Sequence, residues 1–289
     1  MTSDILVPID GSDFSYGALA YTLKSHPNAA VTALHVQDVR IELSQLEDPS
    51  RSPEERIAER TDRILKRSND IADQLGAWVE TQTESGVPHK AILEAVVEQS
   101  YDRLCIGSHG ETVIDRPFLG QAAKAVLTRA PVPVTVVPEG LDSVLDRDLP
   151  GRVLVPFDGS PPAERALEFA MLTLSSPSIT VLHVIESDID PDPSITHGTY
   201  AAERLERLQE SGDEILERAR TLAEGHGESI EDTSIFGKPS HEIVDYATDE
   251  GFDQVVMGSH GRTGVSRAII GSVALGVAQE STIPVTVVK

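Results

Sequence analysis

A chain of 289 residues favours two domains at about 100–200 residues each. Hydrophobic residues make up 39% and aromatics only 4%, so any core must be built from Val, Ile, Leu and Ala. Its 47 acidic residues against 24 basic ones give a formal charge of −23, a field that repels phosphate backbones and anionic membranes and argues against nucleic acid as a main partner.

The first element is strand-like: Met1-Thr2-Ser3-Asp4 runs into Ile5-Leu6-Val7-Pro8-Ile9 without the basic region of a signal peptide. No apolar stretch in the chain approaches the ~18 residues of a membrane helix, so a cytoplasmic protein without a membrane partner is expected. The first strand ends in Asp10-Gly11-Ser12, and Leu34-His35-Val36 marks a second strand. Cys105, the single cysteine, sits in the apolar run Leu104-Cys105-Ile106, which reads as a core thiol and excludes an intrachain disulfide. Gly107-Ser108-His109-Gly110 and the apolar Pro133-Val134-Thr135-Val136-Val137 follow. Residues 139–150 are acidic and turn-rich without a periodic apolar face, and are expected to be a linker.

Beyond the linker the same signals return in the same order. Asp158-Gly159-Ser160 and Leu182-His183-Val184 recur at an offset of 148, while Gly258-Ser259-His260-Gly261 and Pro284 to Val288 recur at 151. The chain is therefore a duplication, with domains 1–138 and 151–289. In the second copy strands are predicted at 152–157, 178–185, 229–235, 253–258 and 284–288, and helices at 161–174, 199–225, 239–250 and 269–281. Five strands alternating with four helices predict an α/β fold in each copy: a five-stranded parallel sheet with helices on both faces. Ser160 before Pro161 marks a helix start. The stretch 200–223 carries one apolar stripe (Leu205, Leu208, Ile215, Leu216, Leu222) among charges, as a solvated helix does.

The second copy holds the most informative motif. A hydrophobic strand ends at Gly258, a glycine-rich loop follows, and Gly271-Ser272 opens a helix, giving Gly-x2-Gly-x9-Gly-Ser. Glycines let backbone approach a ligand, and a helix start offers N–H donors and partial positive charge to an anion. Ser272 adds a hydroxyl donor, and Arg262 and Arg267 offset phosphate charge. Asp158, at the carboxyl end of the first strand, is placed to accept bonds from ribose hydroxyls or an adenine amine. The pattern is neither a Walker A loop nor the dinucleotide fingerprint. Three spaced glycines also fit a tight turn that binds nothing.

Pro156-x-Asp158-Gly159-Ser160, Leu182-His183-Val184 and Gly258-x2-Gly261-x9-Gly271-Ser272, in that order, resemble the universal stress protein family over essentially the whole chain, as two tandem Rossmann-like domains of the adenine nucleotide alpha hydrolase-like kind. The resemblance implies ATP binding where the loop is complete. By the same resemblance Asp158 contacts the nucleoside and the backbone at Val184 recognises adenine. Met257 and Gly258 then line the ribose side, and Gly261, Gly271, Ser272 and Val273 cradle the phosphates. The first-copy counterparts are Asp10, Val36, Gly107, Gly110 and Gly120. There Glu111 replaces Arg262, Val113 replaces Gly264 and Gln121 replaces Ser272, although Arg116 keeps the place of Arg267. A carboxylate ~4 Å from a phosphate costs about 4 kcal/mol at an intermediate dielectric, so the first copy is expected to bind ATP poorly or not at all.

Other residues carry blander readings. Neighbouring Ser108-His109 and Ser259-His260 are expected to shape their turns and not to form a catalytic hydrogen bond. His35 and His183 read as core histidines. No cysteine–histidine spacing fits zinc, so no metal site is expected beyond Mg²⁺ or Mn²⁺ arriving on ATP. Glu186-Ser187-Asp188-Ile189-Asp190-Pro191-Asp192 reads as a solvated acidic loop. Only six of the 24 basic residues are lysines, a balance resembling the acidic proteins of salt-accumulating halophiles. The terminal strands from Pro133 and Pro284 look like sheet edges that pair as an intrachain pseudo-dimer, with a homodimer also open. A nucleotide-binding sensor or regulator is expected; the alternatives are a slow ATPase or phosphotransfer enzyme, against which no Walker B pair or catalytic lysine is present, and a nucleotide-free scaffold.

Overall fold

The computed structural model describes residues 3–38, 52–110, 119–174, 177–187, 199–261 and 270–289. The chain divides into two compact units, Met1–Leu149 and Pro150–Lys289. The first runs β1 (Asp4–Pro8), α1 (Asp13–Ser25), β2 (Ala30–Gln37), α2 (Pro53–Gln74), β3 (Glu80–Ser85), α3 (Pro88–Glu98), β4 (Arg103–Gly107), α4 (Gln121–Arg129), β5 (Val134–Val137) and α5 (Leu141–Leu145). The second runs β6 (Arg152–Pro156), α6 (Pro161–Thr173), β7 (Ser178–Ile185), α7 (Thr199–Gly225), β8 (Glu231–Phe236), α8 (Pro239–Asp249), β9 (Gln254–Gly258), α9 (Ser272–Glu280) and β10 (Val285–Val288).

Within the first unit the strands lie side by side in the order β3-β2-β1-β4-β5, and within the second β8-β7-β6-β9-β10. Each pairing within a unit is parallel, as the registers Pro8↔Leu34 and Pro156↔Leu182 illustrate. All five carboxyl ends of a unit therefore share one edge. The chain order reverses at β1 and at β6, and the crevice at such a reversal is where open α/β sheets take their ligands.

Burial explains the continuous apolar strands. In β1, Ile5 and Val7 pack with Leu19 and Leu23 of α1 and Ile64 and Ile71 of α2, while the intervening Leu6 is equally buried. Successive side chains on a strand point to opposite faces, so helices cover both faces of the sheet. The second unit repeats this: Val153 and Val155 pack against Ala166, Leu167 and Ala170 of α6 and Leu216 and Ala219 of α7, with Leu154 buried on the other face. Ser160 caps α6 as the sequence predicts, its Oγ accepting from the Ala163 amide at 3.4 Å. The helix predicted at 269–281 is observed as Ser272–Glu280, because Gly271 is still extended at ψ 155°.

The stretch 139–150 differs from the expected linker. Its helix α5 puts Leu141 and Val144 into the first core, Leu149 joins them, and residues through Leu149 belong to the first unit. The Lys24 ammonium donates to the carbonyls of Val144 (3.1 Å), Leu145 (2.8 Å) and Arg147 at the end of that short helix. The missed signal is a helix of one turn and a half, too short to show a period.

Two expectations follow. Lys24→Met leaves the end of α5 without its donor and lowers the stability of the first unit by about 1.5–3 kcal/mol, the range for hydrogen bonds to a charged group, measured by denaturant unfolding of the full chain. Cys105 is buried and burial pushes its thiol up to about 12, so Ellman's reagent at pH 8 labels it only after unfolding; rapid labelling of the native chain would place it elsewhere.

Candidate nucleotide site in the second unit

At the carboxyl edge of the second sheet lies a cavity of about 480 Å³, within the ~300–1,000 Å³ typical of small-molecule sites. Strand ends supply Phe157, Asp158, His183, Val184, Ile185, Met257 and Gly258; helix α7 supplies Leu208, Ser211, Gly212 and Ile215. The loop and the first turn of α9 supply His260, Gly261, Gly271, Ser272, Val273 and Ala274. Asp158, Val184, Met257, Gly258, Gly261, Gly271, Ser272 and Val273, all singled out from sequence, thus share one cavity. Arg262 lies outside the described residues, as do Gly264, Arg267, Glu111, Val113 and Arg116.

Close approach explains two of the glycines. A Cβ on Gly258 would stand 2.6 Å from the backbone carbon of Pro162, so β9 can meet the start of α6 only without a side chain. A Cβ on Gly261 would stand 2.8 Å from Oδ2 of Asp158. The other carboxylate oxygen of Asp158 accepts from the Ser160 amide at 3.0 Å, which fixes it at the turn after β6. The Gly271 amide donates to the Ser259 carbonyl at 2.7 Å and closes the loop upon itself. Beyond it, α9 starts at Ser272 with Gly271 as N-cap and no side-chain cap. The first amides of a helix have no partner within it, and Ser272, Val273 and Ala274 all line the cavity.

The cavity is chemically mixed. Val184, Ile185, Leu208, Ile215 and Ile243 give it apolar walls, Asp158 contributes a carboxylate, and Ser272, Val273 and Ala274 bring the start of α9 to it. His183 is buried with Nδ1 2.8 Å from the Phe157 carbonyl, as a core histidine should be, yet its ring also lines the cavity. Burial, with Lys289 and Arg165 adding, holds His260 below its ordinary value, so it is neutral at neutral pH. Burial also brings the Lys289 amine down to about 8.

Within each turn the serine and histidine contact one another, Ser259 Oγ lying 3.0 Å from His260 Nδ1 and Ser108 Oγ 2.8 Å from His109 Nδ1. The pair holds its turn in both units alike. Of the acidic run after β7, Glu186 lines the cavity and residues 188–192 lie outside the described residues. Among the described residues there is no group of three or more His, Cys, Asp or Glu side chains that could hold a metal, and no helix long and apolar enough to cross a membrane.

The first unit repeats the backbone of this arrangement. A Cβ on Gly107 would stand 2.7 Å from Phe14 backbone, and one on Gly110 2.5 Å from Asp10 Oδ2. Gly120 donates to the Ser108 carbonyl at 2.9 Å and starts an equally uncapped helix. Asp10 accepts from the amide and hydroxyl of Ser12 at 3.0 and 2.6 Å. Val36 stands near the carboxyl end of β2, as Val184 does in β7.

Residues 1–138 and 150–289 each match the universal stress protein family. The chain belongs to that family. As a tandem member, it is 23% identical to a universal stress protein of Synechocystis over 308 residues, 98% of either chain. A universal stress protein of Methanocaldococcus jannaschii is 34% identical over 152 residues, covering 48% of this chain and 94% of that one. The crystal structure of a universal stress protein from Archaeoglobus fulgidus shares the fold at a TM-score of 0.64 and 24% identity, covering 99% of this chain and 96% of that one.

The two glycines separate by what their Cβ would strike. Gly258→Ala presses on Pro162 backbone and costs the second unit about 1–3 kcal/mol, as overpacking does. Gly261→Ala meets only the Asp158 side chain and leaves the thermal midpoint near wild type. Scanning calorimetry of both variants checks the contrast; equal midpoints would refute it.

Proposed function

We propose that this universal stress protein binds an adenine nucleotide, ATP, in its second unit and serves as a cytoplasmic stress-response sensor or regulator through occupancy of that site. The observation that carries the reading is that one cavity is lined by apolar residues suited to a base, by the Asp158 carboxylate suited to ribose hydroxyls, and by the uncapped start of α9 suited to phosphates. A chain at −23 repels a polyanion at long range, so affinity must come from short-range donors. Those are the amides of Ser272, Val273 and Ala274 and the Ser272 hydroxyl, with Arg262 as the cation and Mg²⁺ or Mn²⁺ entering on the phosphates.

Occupancy acts by differential affinity: a ligand that spans the loop and the cleft favours the state in which both are in place. In the first unit Gln121 opens α4 where Ser272 opens α9, which removes a hydroxyl donor. ATP is held by the second unit.

Nucleotide released from the purified full-length protein by denaturation, and identified by mass spectrometry, tests the reading; an adenine nucleotide is expected at close to one per chain. Gly271→Val breaks the closure onto Ser259 and removes the nucleotide. Ser272→Ala weakens ATP by about tenfold, the equivalent of one charge-assisted hydrogen bond. Full retention of ATP by Gly271→Val, with the fold intact by circular dichroism, would overturn the assignment of the site.

A further inference from the structure

The two units share their loop backbone and differ on the helix that walls the cleft. The last turns of α2 and α7 align the two helices: the amide of Ala77 donates to Ala72 (2.9 Å) as that of Glu228 does to Ala223 (3.0 Å), and Gly76 to Asp73 as Gly227 to Glu224. Counting back along both helices pairs Ile64 with Ile215, Thr61 with Gly212 and Arg60 with Ser211. Ile64 and Ile215 are both buried, so the pairing also keeps the core in phase.

In the second unit Ser211 and Gly212 line the cavity. Gly212 sits tightly there: a Cβ would stand 3.1 Å from Ile185 Cδ1 and 3.3 Å from His183 Cδ2. In the first unit Thr61 takes that place, buried, with its hydroxyl accepting from Gln37 Nε2 at 2.9 Å. Gln37 corresponds to the apolar Ile185. Arg60 takes the place of Ser211, and its guanidinium donates to the Asp10 carbonyl at 3.0 Å, on the very residue that corresponds to Asp158.

We infer that Arg60 and Thr61 close, in the first unit, the nucleoside end of the cleft that Ser211 and Gly212 leave open in the second. The helix wall, and not only the residues facing the phosphates, then decides which unit accepts a nucleoside. The physical reason is volume and polarity together. A seven-heavy-atom side chain replaces a hydroxymethyl group, and a Gln–Thr hydrogen bond replaces the apolar Ile185–Gly212 contact against which a base would lie. The inference rests on the second unit being a nucleotide site.

Adenosine is the probe, because without phosphates it does not report on Glu111 or Gln121. Calorimetric titration of the full-length, nucleotide-stripped wild type is expected to give one adenosine per chain. Arg60→Ser/Thr61→Gly is expected to give two, and Ser211→Arg/Gly212→Thr none, with the second unit still melting cooperatively. One adenosine per chain from a folded Arg60→Ser/Thr61→Gly variant would overturn the inference while leaving the second-unit site standing. So would full retention by Ser211→Arg/Gly212→Thr, which decides the matter should the first-unit variant not fold. Two adenosines on the wild type would also overturn it. None on the wild type would fail the nucleotide reading itself, and the inference with it.

Discussion

The amide of Gly271 donates to the carbonyl of Ser259 at 2.7 Å, and what the second unit can offer a ligand depends on that bond. It returns the chain to the end of β9 before helix α9 begins, so that the first amides of α9 open into the crevice where the strand order reverses. A residue with a side chain at Gly258 would hold β9 away from α6, and one at Gly261 would displace the carboxylate of Asp158. Loop closure, strand packing and the aspartate are therefore coupled through three positions without a Cβ. Backbone comes close to backbone at Gly258 and Gly271, and to the Asp158 carboxylate at Gly261.

The same constraints occur in the first unit, with Gly120 closing onto Ser108 and Gly110 against Asp10. Duplication has kept the scaffold and let the lining change. Polar and bulky groups stand on the helix wall of one unit where small and apolar ones stand in the other. This division suits a strongly acidic chain. Its long-range field opposes every phosphate, so a site survives only where short-range donors and an apolar cleft act together.

Much of this is legible in the residues. Alternating β-branched runs and amphipathic stretches predicted a parallel sheet in each unit, because the inner strands β1, β4, β6 and β9 are covered on both faces and largely apolar, whereas β3 and β8 at the outer edge of each unit are mostly polar. The glycine spacing marked where backbone packs closely at the carboxyl edge, since the need for close approach is written directly as missing side chains. The wall formed by α7 was not legible. Leu208 and Ile215 appeared only as a packing stripe, and Ser211 and Gly212 carry no signal until the strand they face is known. Helix α5 was missed for a related reason: one and a half turns show no period, and Leu141 and Val144 reveal their role only when Lys24 is seen to cap the helix they belong to. The Ser259–His260 bond depends on side-chain torsions that no spacing rule reports.

An unequal pair of units built on one scaffold is a statement about stoichiometry. Calorimetric titration of ATP into the intact, nucleotide-stripped chain measures it most directly. One site per chain is expected, abolished by changes at the Gly271 closure and unaffected by the equivalent change at Gly120. Two equivalent sites, or a single site that survives at Gly271 and is lost at Gly120, would contradict it.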